Sequence, residues 1–179
     1  MHANVNCLKS CNIGKEFGKS VTSIVIETKI RAPIELCFDL ARDVDAHSES
    51  AAFSSERIVP PGRTEGLLKL GDLVAFEGRH LGVKQRFVAR ITALDRPHRF
   101  DDEMVQGSFK WLRHSHEFEF YDGVTTMRDT LEWEPPLGIV GRLVDRLFLR
   151  RHMHWFVSTK QDGLKRIAED RVRTSMSTT

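Results

Sequence analysis

An α+β fold, a curved antiparallel sheet wrapped around one long C-terminal helix with short helices after the first strand, is the fold class this sequence predicts. Three features point to it. Between Leu73 and Glu134 apolar and polar residues alternate in short runs separated by turn residues, the period of half-buried strands. Asp122-Gly123 joins two of these runs directly, the strongest short-range signal for a two-residue hairpin. From Ile139 to about Asp170 no proline intervenes and apolar residues recur at helical spacing. Strands gathered ahead of a helix, rather than alternating with helices, make an antiparallel sheet covered on one side.

In chain order, Val21–Arg31 sets Ile24, Ile26 and Ile30 against Glu27, Lys29 and Arg31, a half-buried strand. Pro33 suits the first turn of a short helix, IELCFDLAR, with Leu36, Leu40 and Ala41 on one side. Residues 43–55 are small and polar and carry no clear period. Pro60-Pro61-Gly62 marks a turn, and Leu73–Phe76 reads as a strand. In Val83–Leu94, Val83, Phe87, Ala89, Ile91 and Ala93 face away from Lys84, Arg86 and Arg90. Arg99–Val105 is a short strand, Lys110–Tyr121 and Val124–Glu134 complete the set, and Pro135-Pro136 ends it because proline cannot continue a ladder. In the final helix Leu149, Met153, Phe156, Val157, Leu164 and Ile167 share one side, whereas the apolar residues of 139–148 favour another. A bend, or a rotation of the buried face, is therefore expected near Leu149. The expected organisation is one domain over 21–170, a disordered tail at 1–20 and a flexible, solvated tail at 171–179.

With 179 residues, 40% hydrophobic and 29% charged, the chain suffices for one core of ordinary size. No apolar run approaches the length of a membrane span, and a net charge of +2 does not suggest a nucleic-acid partner. Met1–Ser20 lacks the apolar centre of a secretory signal, and the three cysteines, Cys7, Cys11 and Cys37, are an odd number. Both features lead us to expect reduced thiols in the cytoplasm. Cys7 and Cys11 lie four apart with no second ligand pair after them, which is not a zinc pattern.

If Asp122-Gly123 forms a type I′ turn, Tyr121 faces Val124 and the register of the whole hairpin follows. His116 then lies opposite Asp129, His114 opposite Leu131, Phe118 opposite Met127 and Leu112 opposite Trp133. The other face pairs Arg113 with Glu132 and Glu117 with Arg128. A slip of one residue would destroy both the apolar and the charged face.

Four stretches carry a resemblance to a known family: IRAPIELCFDLARDVDAH, GDLVAFEGRHLGVKQRFVARITALDRPHRFDDEM, the hairpin WLRHSHEFEFYDGVTTMRDTLEW, and PPLGIVGRLVDRLF before the last helix. Together they resemble the helix-grip fold of the START-related, birch-pollen-allergen-like superfamily. That superfamily is also called SRPBCC, or polyketide cyclase/dehydrase and lipid-transport proteins. The likeness spans nearly all of the chain after Val21. It implies an aromatic residue soon after the first helix, where SESAAFSSE offers Phe53; a cavity is expected independently, because a long helix against a strongly curved sheet leaves space between them. It does not imply one activity, because the superfamily includes ligand carriers, hormone receptors, cyclases and a chaperone activator.

Two histidines on an apolar strand face have four readings. As a metal site, His114, His116 and Asp129 supply three ligands with His154 as a fourth, but the two histidines stand ~7 Å apart along the strand. Iron-binding helix-grip oxygenases, moreover, carry ligands on a helix with a spacing absent here, so no metal is expected. As a catalytic pair, His116 and Asp129 would act as acid and base of a cyclase or dehydratase, although no nucleophile, phosphate loop or cofactor fingerprint accompanies them. As core residues they would satisfy each other and do nothing more. As polar anchors they would sit in an otherwise apolar pocket. The leading expectation is this last one: a small hydrophobic or amphipathic ligand, no cofactor, and no reaction required. The expected lining is Phe76, Phe87, Leu112, His114, His116, Phe118, Asp129, Leu131 and Trp133 from the sheet, with Met153, Phe156 and Val157 from the helix.

Overall fold

Both residues of the Asp122-Gly123 turn take positive φ, 48° and 77°, as a type I′ hairpin requires. The computed structural model describes residues 21–80 and 82–177, apart from the His80 side chain; the expected 1–20 tail, with Cys7 and Cys11, lies outside them. The hairpin strands, β6 (Trp111–Tyr121) and β7 (Val124–Glu134), pair in the register expected from the turn, with His116 opposite Asp129 and Leu112 opposite Trp133. The outer ion pairs differ. Arg113 reaches past Glu132 to Asp101 at 2.6 Å, and Arg128 reaches Glu27 at 2.7 Å, because each strand offers a partner on its other flank.

Five further strands precede the hairpin: β1 (Thr22–Ile30), β2 (Arg57–Ile58), β3 (Leu73–His80), β4 (Val83–Asp95) and β5 (Arg99–Gln106). The sheet is antiparallel throughout, in the order β1-β7-β6-β5-β4-β3-β2. Register shifts between Val88 and Ala89 and between Ile91 and Ala93 sit in β4, and shifts of this kind bend a strand and increase its twist.

Helix α1 (Ile34–Ala41) buries Ile34, Cys37, Phe38 and Leu40. Phe38 meets the rings of Phe100 and Phe118 edge-on at 5.6 and 5.4 Å, which closes the sheet at that end. The small polar stretch contains α2 (Val44–Ser50), started by Asp43, whose carboxylate accepts from the Asp45 and Ala46 N–H groups. Gly163 of the last helix lies against α2 so closely that a Cβ there would stand 2.8 Å from the Ser50 carbonyl oxygen.

The C-terminal run has three parts: α3 (Gly138–Val144), a π-helical turn (Asp145–Leu149) and α4 (Arg150–Ser177). The π turn lies where a change of face was expected. Its consequence differs from a rotation between two buried faces: Ile139, Val140, Leu143, Val144, Leu147 and Phe148 are all exposed. Gly141 and Asp145 point inward instead. The Asp145 carboxylate accepts from Trp133 Nε1 at 2.6 Å and Thr22 Oγ1 at 2.5 Å. Helix α4 buries Phe156, Val157, Leu164 and Ala168. It also continues through 171–177, where a flexible tail was expected, since no proline or glycine stops it and Val172 packs on the core. Its backbone runs close to the edge strand β1 and to α1 and α2, while Phe156 and Val157 reach toward Leu112, Leu131 and Trp133 of the hairpin. Space is left over the middle of the sheet.

Candidate functional site

That space is a cavity of about 210 Å³, bounded by β3–β7 on one side and by α2 and α4 on the other. Of the residues expected to line it, Phe76, Phe87, Leu112, His114, His116, Asp129, Leu131, Met153, Phe156 and Val157 do so. Phe118 and Trp133 do not. Both share the right strand face, but Phe118 is covered by Phe38, and Trp133 lies beneath Phe109 and the π turn. Alternation identifies the face of a sheet, not which part of that face a helix covers.

Two polar groups interrupt the apolar wall. On the sheet, His116 Nδ1–H donates to Asp129 Oδ1 at 2.9 Å, and its Nε2–H donates to Asp102 Oδ2 at 3.3 Å. The His114 ring lies 3.9 Å from the His116 ring, centroid to centroid. Its Nε2 is 3.4 Å from Asp129 Oδ2, within ion-pair range but not aligned for a hydrogen bond. Phe100 stacks on the far face of His116 at 4.1 Å. On the helical side, Lys160 Nζ–H donates to His47 Nε2 and lies 3.3 Å from Glu56 Oε2. The His47 ring packs on Phe76 at 4.7 Å. Nearby, Gln161 Oε1 accepts from Thr28 Oγ1 at 2.5 Å, while its buried Nε2 has no partner among the described residues.

Asp102, His47, Glu56, Lys160 and Gln161 were not expected at the site. Asp102 had a signal, since alternation in RFDDEM sets it on the face of Phe100 and Met104. Gln161 had one too, a polar residue within the helical stripe Val157, Gln161, Leu164, Ala168. His154, weighed as a fourth metal ligand, is exposed on α4 beside Ser158.

Among solved structures, the Zhui aromatase/cyclase of Streptomyces sp. R1128 superposes with a TM-score of 0.70 at 15% identity, covering 87% of this chain and 98% of its own. A protein of Thermus thermophilus gives 0.67 at 20% identity, covering 81% and 95%. The ginseng major latex-like protein 151 of Panax ginseng gives 0.62 at 12% identity, covering 83% and 97%. This is the helix-grip fold expected from the sequence. No protein-family model and no curated protein sequence matches the chain. At these identities the likeness is one of fold.

Within this helix-grip cavity, the two polar groups carry opposite proton logic. Burial alone would push the His116 imidazole down, but the Asp129 charge and the hydrogen bonds to Asp102 and Asp129 outweigh it and raise its pKa to about 10. Burial would raise Asp129, and the neighbouring His116 and His114 instead hold it well below the usual carboxylate range. His47 is driven well below its ordinary value, first by burial and then by the Lys160 charge, so its ring is neutral and accepts from the ammonium. Asp102, His114 and His116 offer ligand atoms within 4.8 Å of one another, a spacing a metal ion could bridge. Both nitrogens of His116 already serve carboxylates, however, and a metal would have to displace a firmly held proton.

Proposed function

We propose that this protein binds a small hydrophobic or amphipathic molecule in the cavity between the sheet and α4, acting in the cytoplasm. The observation carrying this reading is the cavity itself: an apolar wall broken by two built polar groups. About 210 Å³ exceeds the ~150 Å³ of an engineered cavity that takes benzene and falls below the ~300–1,000 Å³ of drug-sized sites. The fitting ligand has one or two rings, or an equivalent aliphatic body, with polar groups that meet the His116 and Lys160 clusters.

A reaction through His116 and Asp129 is the second reading, prompted by the buried couple. It is disfavoured by the same geometry. A general base works best with a pKa near the working pH, and an imidazole held between two carboxylates keeps its proton instead. Turnover of a bound ligand that His116→Ala abolishes without unfolding would reverse this preference.

Native mass spectrometry of the purified chain, with titration of one- and two-ring aromatic acids and alcohols, tests the binding reading. Saturable one-to-one binding is expected, lost in Met153→Trp, whose indole occupies the cavity while the thermal transition is retained. No co-purified mass and no saturable binding by any of these compounds would sink it.

A further inference from the structure

The segment from Leu137 to Phe148 is amphipathic the wrong way round. Leu137, Ile139, Val140, Leu143, Leu147 and Phe148 are between 57% and 77% exposed, while its one acidic residue, Asp145, is 4% exposed. This is a held arrangement rather than a frayed end. Asp145 bonds to Trp133 and Thr22, and Gly141 lies so close to the Pro136 carbonyl that no side chain would fit between them. Contiguous apolar surface of this kind marks an interaction site. Arg142, Arg146, Arg150 and Arg151 border it, all exposed, with no exposed carboxylate anywhere between Leu137 and Trp155. A second copy of this face laid on the first would bring both sets of arginines together without a counter-charge.

We infer that this face docks on the surface of an anionic lipid bilayer. The apolar side chains enter the headgroup–acyl boundary and the arginines, their stems along that boundary, meet lipid phosphates. The same helical run continues into Leu149, His152 and Met153, which line the cavity. Docking therefore sets the cavity beside the membrane, a position suited to exchanging an amphipathic ligand with it. The docking stands without any ligand; the exchange rests on the binding function proposed above.

Co-sedimentation of the full chain with vesicles tests the docking. The chain should bind phosphatidylcholine vesicles containing phosphatidylglycerol and bind pure phosphatidylcholine far less, with affinity falling as salt rises. Leu147→Asp with Phe148→Asp, at exposed positions where the circular dichroism should not change, should abolish binding. Arg142→Gln with Arg146→Gln should weaken it about 30-fold, as removal of two cations from an anionic surface does. Met153→Trp, which fills the cavity, should bind vesicles as the wild type does, so that loss of ligand binding and loss of docking are read separately. Absence of vesicle binding, or equal binding by the double aspartate variant, would overturn the inference. So would a wild-type dimer in sedimentation equilibrium that the aspartate variant dissolves, or a protein partner that competes vesicles off while the arginine variant binds them normally.

Discussion

Replacing Asp129 by Asn tests the polar centre of the cavity most directly. The couple is shielded, with side-chain exposures of 12% for His116 and 5% for Asp129. Stripping a buried ion pair of one partner costs ~3–5 kcal/mol where nothing else compensates. Here Asp102 remains 3.3 Å from His116 Nε2, so Asp129→Asn should cost about 1.5–3 kcal/mol, the range of one charge-assisted hydrogen bond. Asp102→Asn with Asp129→Asn should cost more than the sum of the two single changes, since only then is the imidazolium left uncompensated. The pH dependence has a definite sign. His116 is raised in the folded state, so its contribution is complete below the unfolded value of about 6.5 and is lost as pH rises through about 10. Asp129 is depressed, so its contribution is present above about 3.9 and is lost as pH falls through the folded value. The wild type minus Asp129→Asn difference in urea unfolding free energy should therefore shrink between pH 6.5 and 10, by no more than the ~1.5–3 kcal/mol it amounts to below that window. Imidazole titration by NMR supplies the second readout. A flat difference across that window, or a His116 that titrates alike in both proteins, would refute the account.

Two further outcomes follow from close packing. Gly163→Ala should lower the thermal midpoint, because a Cβ 2.8 Å from the Ser50 carbonyl forces α2 and α4 apart; overpacking of about 1–3 kcal/mol outweighs the ~1 kcal/mol that alanine gains in a helix. Trp133→Phe should cost about 1.5–3 kcal/mol by chemical unfolding, since it removes the 2.6 Å bond to a buried carboxylate, and hydrogen exchange at Gly141–Leu149 should rise.

What was legible in the chain was whatever local chemistry decides. The I′ turn at Asp122-Gly123 sets the register of eleven-residue strands, and one apolar face opposite one charged face leaves no room for a slip. The β5–β6 connection has no such turn, so nothing local places Asp102 beside His114 and His116. Short helices were expected after the first strand, but the second, α2, could not be placed, because VDAHSES has no apolar period and its only signal is the Asp43 cap. Phe118 and Trp133 were assigned to the cavity because alternation cannot show that Phe38 and the π turn cover them. The exposed face of 137–148 defeats the usual inference that apolar residues turn inward, since a buried Asp145 reverses it.

The π turn at Asp145–Leu149 works as a phase shifter. Successive residues of an α-helix advance by about 100°. An extra residue within one turn therefore rotates everything after it relative to everything before. Upstream, the angular setting turns Asp145 toward Trp133 and sends Leu147 and Phe148 outward; downstream, a different setting turns Phe156, Val157 and Leu164 toward the sheet. A single continuous α-helix could not satisfy both. Deleting one residue here would leave composition almost unchanged yet swing the whole of α4 by about 100°, removing the cavity wall. The segment should accept changes of side chain on its outer side and tolerate no change of length.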